Sequence, residues 1–155
     1  QVWRFVQGTY ATEPIPAAQA SATQPISGTV TATVTPPAPA TPYFVNSAAT
    51  TNGALVLTGT SALHSLWATN TGASVAFVKL YNKATAPTVG TDVPEMIIPV
   101  PPAAGGIPGV ANPNMGFIPF RFALGLGIAI TGGMADNDTT AVAAGQVKVK
   151  LSRAV

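Results

Sequence analysis

The chain has 155 residues, enough for one ordinary domain with a core of its own, and only 8% are charged against roughly 25% in average soluble domains. Fifteen glycines and fifteen prolines outnumber the charged residues, which argues against helices, since exposed helix faces carry Lys, Glu and Arg and since Pro and Gly interrupt the ladder. The net charge of +2, scattered along the chain, implies no nucleic-acid partner, and the absence of cysteine removes disulfides and thiolate metal sites.

The first ten residues concentrate Val2, Trp3, Phe5, Val6 and Tyr10, and the stretch that follows to Gln24 is almost all Ala, Pro, Thr, Ser and Gln. Such a stretch has too little apolar surface for a core of its own, yet tails without structure are normally poor in aromatics. Val2, Trp3, Phe5, Val6 and Tyr10 are therefore expected to anchor an arm on another chain, with Ala11 to Gln24 as its tether. The chain opens on Gln1 with no basic and apolar signal-peptide blocks, and an upstream segment is expected to have been removed or left out.

From Ser27 to Thr35, Val30, Ala32 and Val34 alternate with threonines, which predicts a strand with one apolar face. The run Pro36 to Pro42 predicts a stiff extended connector, because proline favours polyproline geometry and donates no ladder hydrogen bond. Residues 1–45 are thus expected to form an arm with one Thr/Val strand and a Pro-rich connector, and residues 46–155 a sandwich domain.

Seven short runs bounded by Gly, Pro, Asn or Thr follow: ALVLTG, ALHSLWATN, SVAFVKLYN, PEMIIPV, GFIPFRF, LGIAIT and QVKVKLS. In the last, Val147, Val149 and Leu151 form an inner face against Lys148 and Lys150. In SVAFVKLY, Ala76, Val78 and Leu80 share one face, while Val75, Phe77 and Tyr81 share the other with Lys79. That second, partly apolar face is expected to be covered by a subunit or by the arm. With the Thr/Val strand, the count fits an all-β, antiparallel, jelly-roll-like β-sandwich with an extended N-terminal arm. A short helical turn is expected only in DNDTTAVAAGQ, where Asp136 or Asp138 could cap it and Gly145 end it. No membrane span is expected, because the longest apolar stretch, near Phe120 to Thr131, contains Arg121 and falls short of the about 20 residues required.

Little here carries chemistry. His64 and Ser65 are adjacent, and adjacent strand residues point to opposite faces unless a bulge intervenes. Asp136 to Asp138 resembles the start of a calcium loop but lacks its later ligands, and reads as a turn or cap. Asp92 and Glu95 are neighbouring loop acids without the cleft that a glycosidase needs. The glycines of GLGIAITGG lack the Lys-Ser/Thr of a phosphate loop and read as permitting close strand packing. No catalytic residue, metal ligand or cofactor is expected, and the chain is not expected to be an enzyme.

The segment Leu63 to Leu151, carried by WATNTGASVAFVKLYNKATAPTVGTDVPEMIIPV and then by FRFALGLGIAITGGMADNDTTAVAAGQVKVKL, resembles a module of tailed-bacteriophage virion structural proteins. Related modules occur in capsid decoration (cement) proteins and in tail or baseplate components. The resemblance implies a structural virion protein on the outer surface of a capsid, assembled in the host cytoplasm, clamping neighbouring copies of the major capsid protein. It implies self-association as a homotrimer or homodimer, with no nucleic acid or membrane partner. A tail or baseplate component, or a receptor- or glycan-binding tip, is the alternative. PPAAGGIPGVANPNMG is longer than the pattern.

Overall fold

The computed structural model describes residues 40–113, 115 and 119–154. The expected arm anchors Val2, Trp3, Phe5, Val6 and Tyr10 and the Thr/Val strand at 27–35 lie outside these residues. Nine strands follow in chain order: β1 (Thr41–Asn46), β2 (Ala54–Thr58), β3 (Ser61–Asn70), β4 (Ala76–Asn82), β5 (Met96–Val100), β6 (Gly109–Ala111), β7 (Phe120–Phe122), β8 (Gly125–Thr131) and β9 (Val147–Ala154). All pairings are antiparallel, and no helix is present among the described residues.

The strands form two sheets. Sheet A runs β1-β9-β3-β6, with β7 also on β3, and sheet B runs β2-β8-β4-β5. Only the β4–β5 and β6–β7 connections stay within a sheet; every other one crosses to the opposite sheet. That alternation is the double Greek key of a jelly roll, so the expected all-β sandwich is the fold observed. The ten residues of β3 accommodate two partners in line, β7 at Ser61–Leu63 and β6 at Ala68–Asn70.

The core lies between the sheets. Leu63, Leu66 and Ala68 of β3 and Val147, Val149 and Leu151 of β9 face Ala76, Val78 and Leu80 of β4 and Leu126, Ile128 and Ile130 of β8. The inner faces of β4 and β9 are those that period two predicts. Strand β3 departs from period two, because Leu63 and Leu66 both point inward, and a bulge against β9 between Leu63 and Ser65 absorbs the extra residue.

Two strands escape the sequence pattern. Strand β1 begins at Thr41, so the sandwich takes in residues that the sequence groups with the arm and connector. Pro42 is tolerated because, among the described residues, β1 pairs only with β9 and ends the strand order of sheet A. Strand β6 has three residues inside the long Pro/Gly-rich insertion, too few to show a period. The helical turn expected after Asp136 is absent; the segment is a series of turns, with Gly145 at φ 71°.

Gly125 opens β8 at φ 152°, and a Cβ there would lie 2.3 Å from the Lys83 carbonyl oxygen and 2.8 Å from that of Leu57. Backbone presses it from both sides, so it has no room for a side chain. Gly59, at φ 75°, has no atom within 4 Å of a Cβ position. Gly125→Ala is expected to lower the unfolding free energy by about 2–3 kcal/mol and Gly59→Ala by about 1 kcal/mol. Urea midpoints of the two variants check the difference.

Candidate functional site

Both faces of β4 are buried, and the cover on its outer face is in part the chain's own. Phe77, Lys79 and Tyr81 point away from the core and stand opposite Thr131, Ala129 and Gly127 of β8. Large residues on one strand meet small ones on the next, which leaves a trough along the outside of sheet B. The loop after β4 fills one end: Pro87 is buried there, and a Cβ on Gly127 would lie 3.1 Å from Pro87 Cδ and 3.4 Å from Tyr81 Cβ. The Ala/Thr/Pro/Gly composition of this loop thus serves close packing on its own sheet. The face of β4 assigned from sequence to a subunit or the arm is lined instead by intramolecular loops.

The other end of the trough is closed by the loop after β8, and Lys79 holds it. The fully buried Lys79 ammonium donates to the carbonyl oxygens of Ala135 at 2.6 Å and of Asp136 and Asp138 at 3.4 Å. Burial pushes the Lys79 pKa down, opposed by the charges of Asp138 and Asp136. The Tyr81 hydroxyl, buried beside it, has no hydrogen-bond partner among the described residues. Burial first, then the charges of Asp92 and Asp136, push its pKa up.

The acids singled out in the sequence organise these loops. Asp138 Oδ1 accepts from the N–H of Gly133 at 2.9 Å and of Thr140 at 3.0 Å, and Oδ2 from the Thr140 hydroxyl at 3.0 Å. This is a turn-forming role. Burial acts to raise the Asp138 pKa, but the hydrogen bonds from Thr140 and Gly133 and the Lys79 charge outweigh it and hold the carboxyl below its ordinary value. Asp92 pairs with Lys83 and accepts from the Thr88 N–H at 2.6 Å. The Lys83 hydrogen bond, followed by that from Thr88, depresses its pKa despite some desolvation. Glu95 is exposed, and the two acids do not act as a pair. No group of three or more metal-ligating side chains occurs among the described residues.

The β3 bulge falls at His64 and Ser65 and leaves both side chains exposed on the outside of sheet A. Among the described residues neither side chain makes a hydrogen bond to the other or to a carboxylate, so the bulge redirects the pair without assembling a nucleophile and an oriented base.

What sheet A does present is a surface. Phe44 of β1, Lys150 of β9 and Trp67 of β3 stand in one row across three strands, with Phe44 62% and Trp67 50% exposed. The next row carries Asn46, Lys148 and Thr69, then Val110 of β6, also exposed. Directly opposed residues on adjacent strands lie about 5 Å apart, so the aromatics flank Lys150. Period two marks Lys148 and Lys150 as outward-facing. Phe44 follows the proline run, and the outward turn of Trp67 depends on the bulge, so the row itself is not legible in the sequence. The chain matches no family model, no curated protein and no solved structure.

Two outcomes follow from the buried amine and the turn acid. Lys79→Met is expected to keep the fold, lower the unfolding free energy by about 1.5–3 kcal/mol through the lost charged hydrogen bonds, and speed amide exchange selectively in residues 132–140. Asp138 has a folded pKa below the ordinary 3.8, so its contribution is complete above that value and is lost as pH falls through the folded pKa. Thermal midpoints are expected to decline below about pH 4, and the decline is expected to be shallower in Asp138→Asn.

Proposed function

We propose that this protein is a structural component of a bacteriophage virion that decorates the outer surface of the capsid and stabilises it by clamping neighbouring shell subunits. The observation that carries the reading is the outer face of sheet A, where Phe44, Lys150, Trp67 and Lys148 form an exposed surface on a rigid, extensively paired sheet. Exposed aromatics are common interface anchors, and the lysines between them supply charge that orients a partner. The resemblance of Leu63 to Leu151 to virion modules supplies the setting. A jelly roll by itself supports many functions, so the surface and not the fold bears the weight.

In this reading the partners are the major capsid protein and further copies of the chain. The anchors Val2, Trp3, Phe5, Val6 and Tyr10 extend its reach, because Ala11 to Gln24 spans on the order of 40 Å when extended at about 3.3 Å per residue. A tail or baseplate position would use the same surface on a different lattice. The exposed indole of Trp67 is the one observation favouring a glycan-binding tip, since aromatic faces stack on sugars.

The test adds purified protein to shells assembled from the cognate major capsid protein. Stoichiometric binding to the outer surface and greater resistance of the shells to heat are expected, with both reduced by deletion of Gln1 to Tyr10 and by Phe44→Ala/Trp67→Ala. Absence of shell binding together with glycan binding that Trp67→Ala abolishes would establish the second reading instead.

A further inference from the structure

Charge is sorted between the two sides of the sandwich. Among the described residues, Arg121, Lys148 and Lys150 are exposed on strands of sheet A, whereas Arg153, level with the core residue Leu63, stacks over the Tyr43 ring. The two cations on the sheet B side are engaged, Lys79 by backbone carbonyls and Lys83 by Asp92. All four described side-chain carboxylates, Asp92, Glu95, Asp136 and Asp138, lie on the loops after β4 and after β8. Asp92 and Asp138 are used by Lys83 and by the Asp138 turn, which leaves Glu95 and Asp136 exposed without an ion pair among the described residues. Two positions before each of these acids in the chain stand Val93, 73% exposed, and Met134, 66% exposed.

Among the described residues, the sheet A side of the sandwich is therefore basic and aromatic, and its loop-bearing side is acidic and aliphatic. We infer that the outer face of sheet A docks on the loop-covered side of sheet B in a second copy of the chain, with Lys148 and Lys150 meeting Glu95 and Asp136, and Phe44 and Trp67 meeting Val93 and Met134. A second copy is the occupant because the chain carries both complementary surfaces itself, Phe44, Trp67, Lys148 and Lys150 on one side and Val93, Met134, Glu95 and Asp136 on the other. Methionine thioethers pack well against aromatic rings. A like-with-like contact would set Lys148 and Lys150 against their own copies, and like charges juxtaposed in an interface are costly. Because the two surfaces are on opposite sides of the sandwich, the contact is heterologous and continues from copy to copy, in contrast to the closed homodimer or homotrimer expected from the sequence. The inference does not depend on the particle setting, and purified protein alone tests it.

The experiment is sedimentation velocity on the full chain at low and high salt, with Lys148→Glu/Lys150→Glu and Glu95→Lys/Asp136→Lys as reciprocal charge reversals. Wild type is expected to form a salt-sensitive, concentration-dependent series, and each variant alone to associate at least roughly tenfold more weakly. An equimolar mixture of the variants is expected to recover association, because each then meets opposite charge on both sides. Recovery also demonstrates that both variants are folded. A wild-type monomer, a closed dimer or trimer, normal association of either variant alone, or failure of the mixture to recover would each overturn the inference.

Discussion

The Lys79 ammonium is fully buried in the trough where loops of the chain fold back over the outside of sheet B. An amine without solvent must be given acceptors, and the carbonyls of Ala135, Asp136 and Asp138 supply them. This requirement draws the loop after β8 down onto sheet B. Asp138 then fixes the turn that presents those carbonyls, through Gly133 and Thr140. The side chain that most needs partners therefore organises the first half of a loop whose buried apolar anchor, Val142, comes only in its second half.

The same face of sheet B shows why so bland a composition folds at all. Gly127 and Ala129 leave space beside Tyr81 and Lys79, and Pro87 occupies part of it. A larger side chain on β8 would lift the loop and expose the outer face of β4. Polar ties complete the closure elsewhere. Buried Asn70 donates to the carbonyls of Ser74 and Val100 and accepts from the Gly72 N–H and the Gln146 side chain, joining the β3–β4 turn to β5 and to the start of β9. Buried Ser47 donates to the Ala143 carbonyl and accepts from the Val147 N–H, so the β1–β2 corner is held to the end of the long β8–β9 loop. Each buried polar group with several partners joins segments distant in sequence, which specifies their relative placement as well as stabilising it.

With sheet B covered by loops, sheet A is left as the open side. Strand β9 alternates between core and solvent from Val147 to Leu151, and β3 does so beyond its bulge, so residues on the outer face can vary without disturbing packing. That independence is what allows Phe44 and Trp67 to remain exposed on a stable scaffold. The acidic loops on the far side are constrained more tightly, since Asp92 and Asp138 shape backbone, and only Glu95 and Asp136 are free to meet a partner.

Composition and period two were enough to determine an all-β sandwich, its seven main strand segments, and the inner faces of β4 and β9, because alternation of side chains is a local property of the backbone. They also marked Asp138 as a turn residue and the β8 glycines as sites of close packing. Tertiary structure alone decided the rest. Strand β1 was hidden by prolines that an edge position tolerates, and β6 was too short to show a period. The bulge at His64 and Ser65 arises from register against β9, which no local pattern encodes. The outer face of β4 looked like a contact with a subunit or the arm because its sequence is apolar on both sides, whereas the covering loops reach it at Ala135, 56 residues from Lys79, and at Pro87, close to it in sequence. The alignment of Phe44, Lys150 and Trp67 joins three strands from distant parts of the chain, and only strand pairing brings such residues side by side.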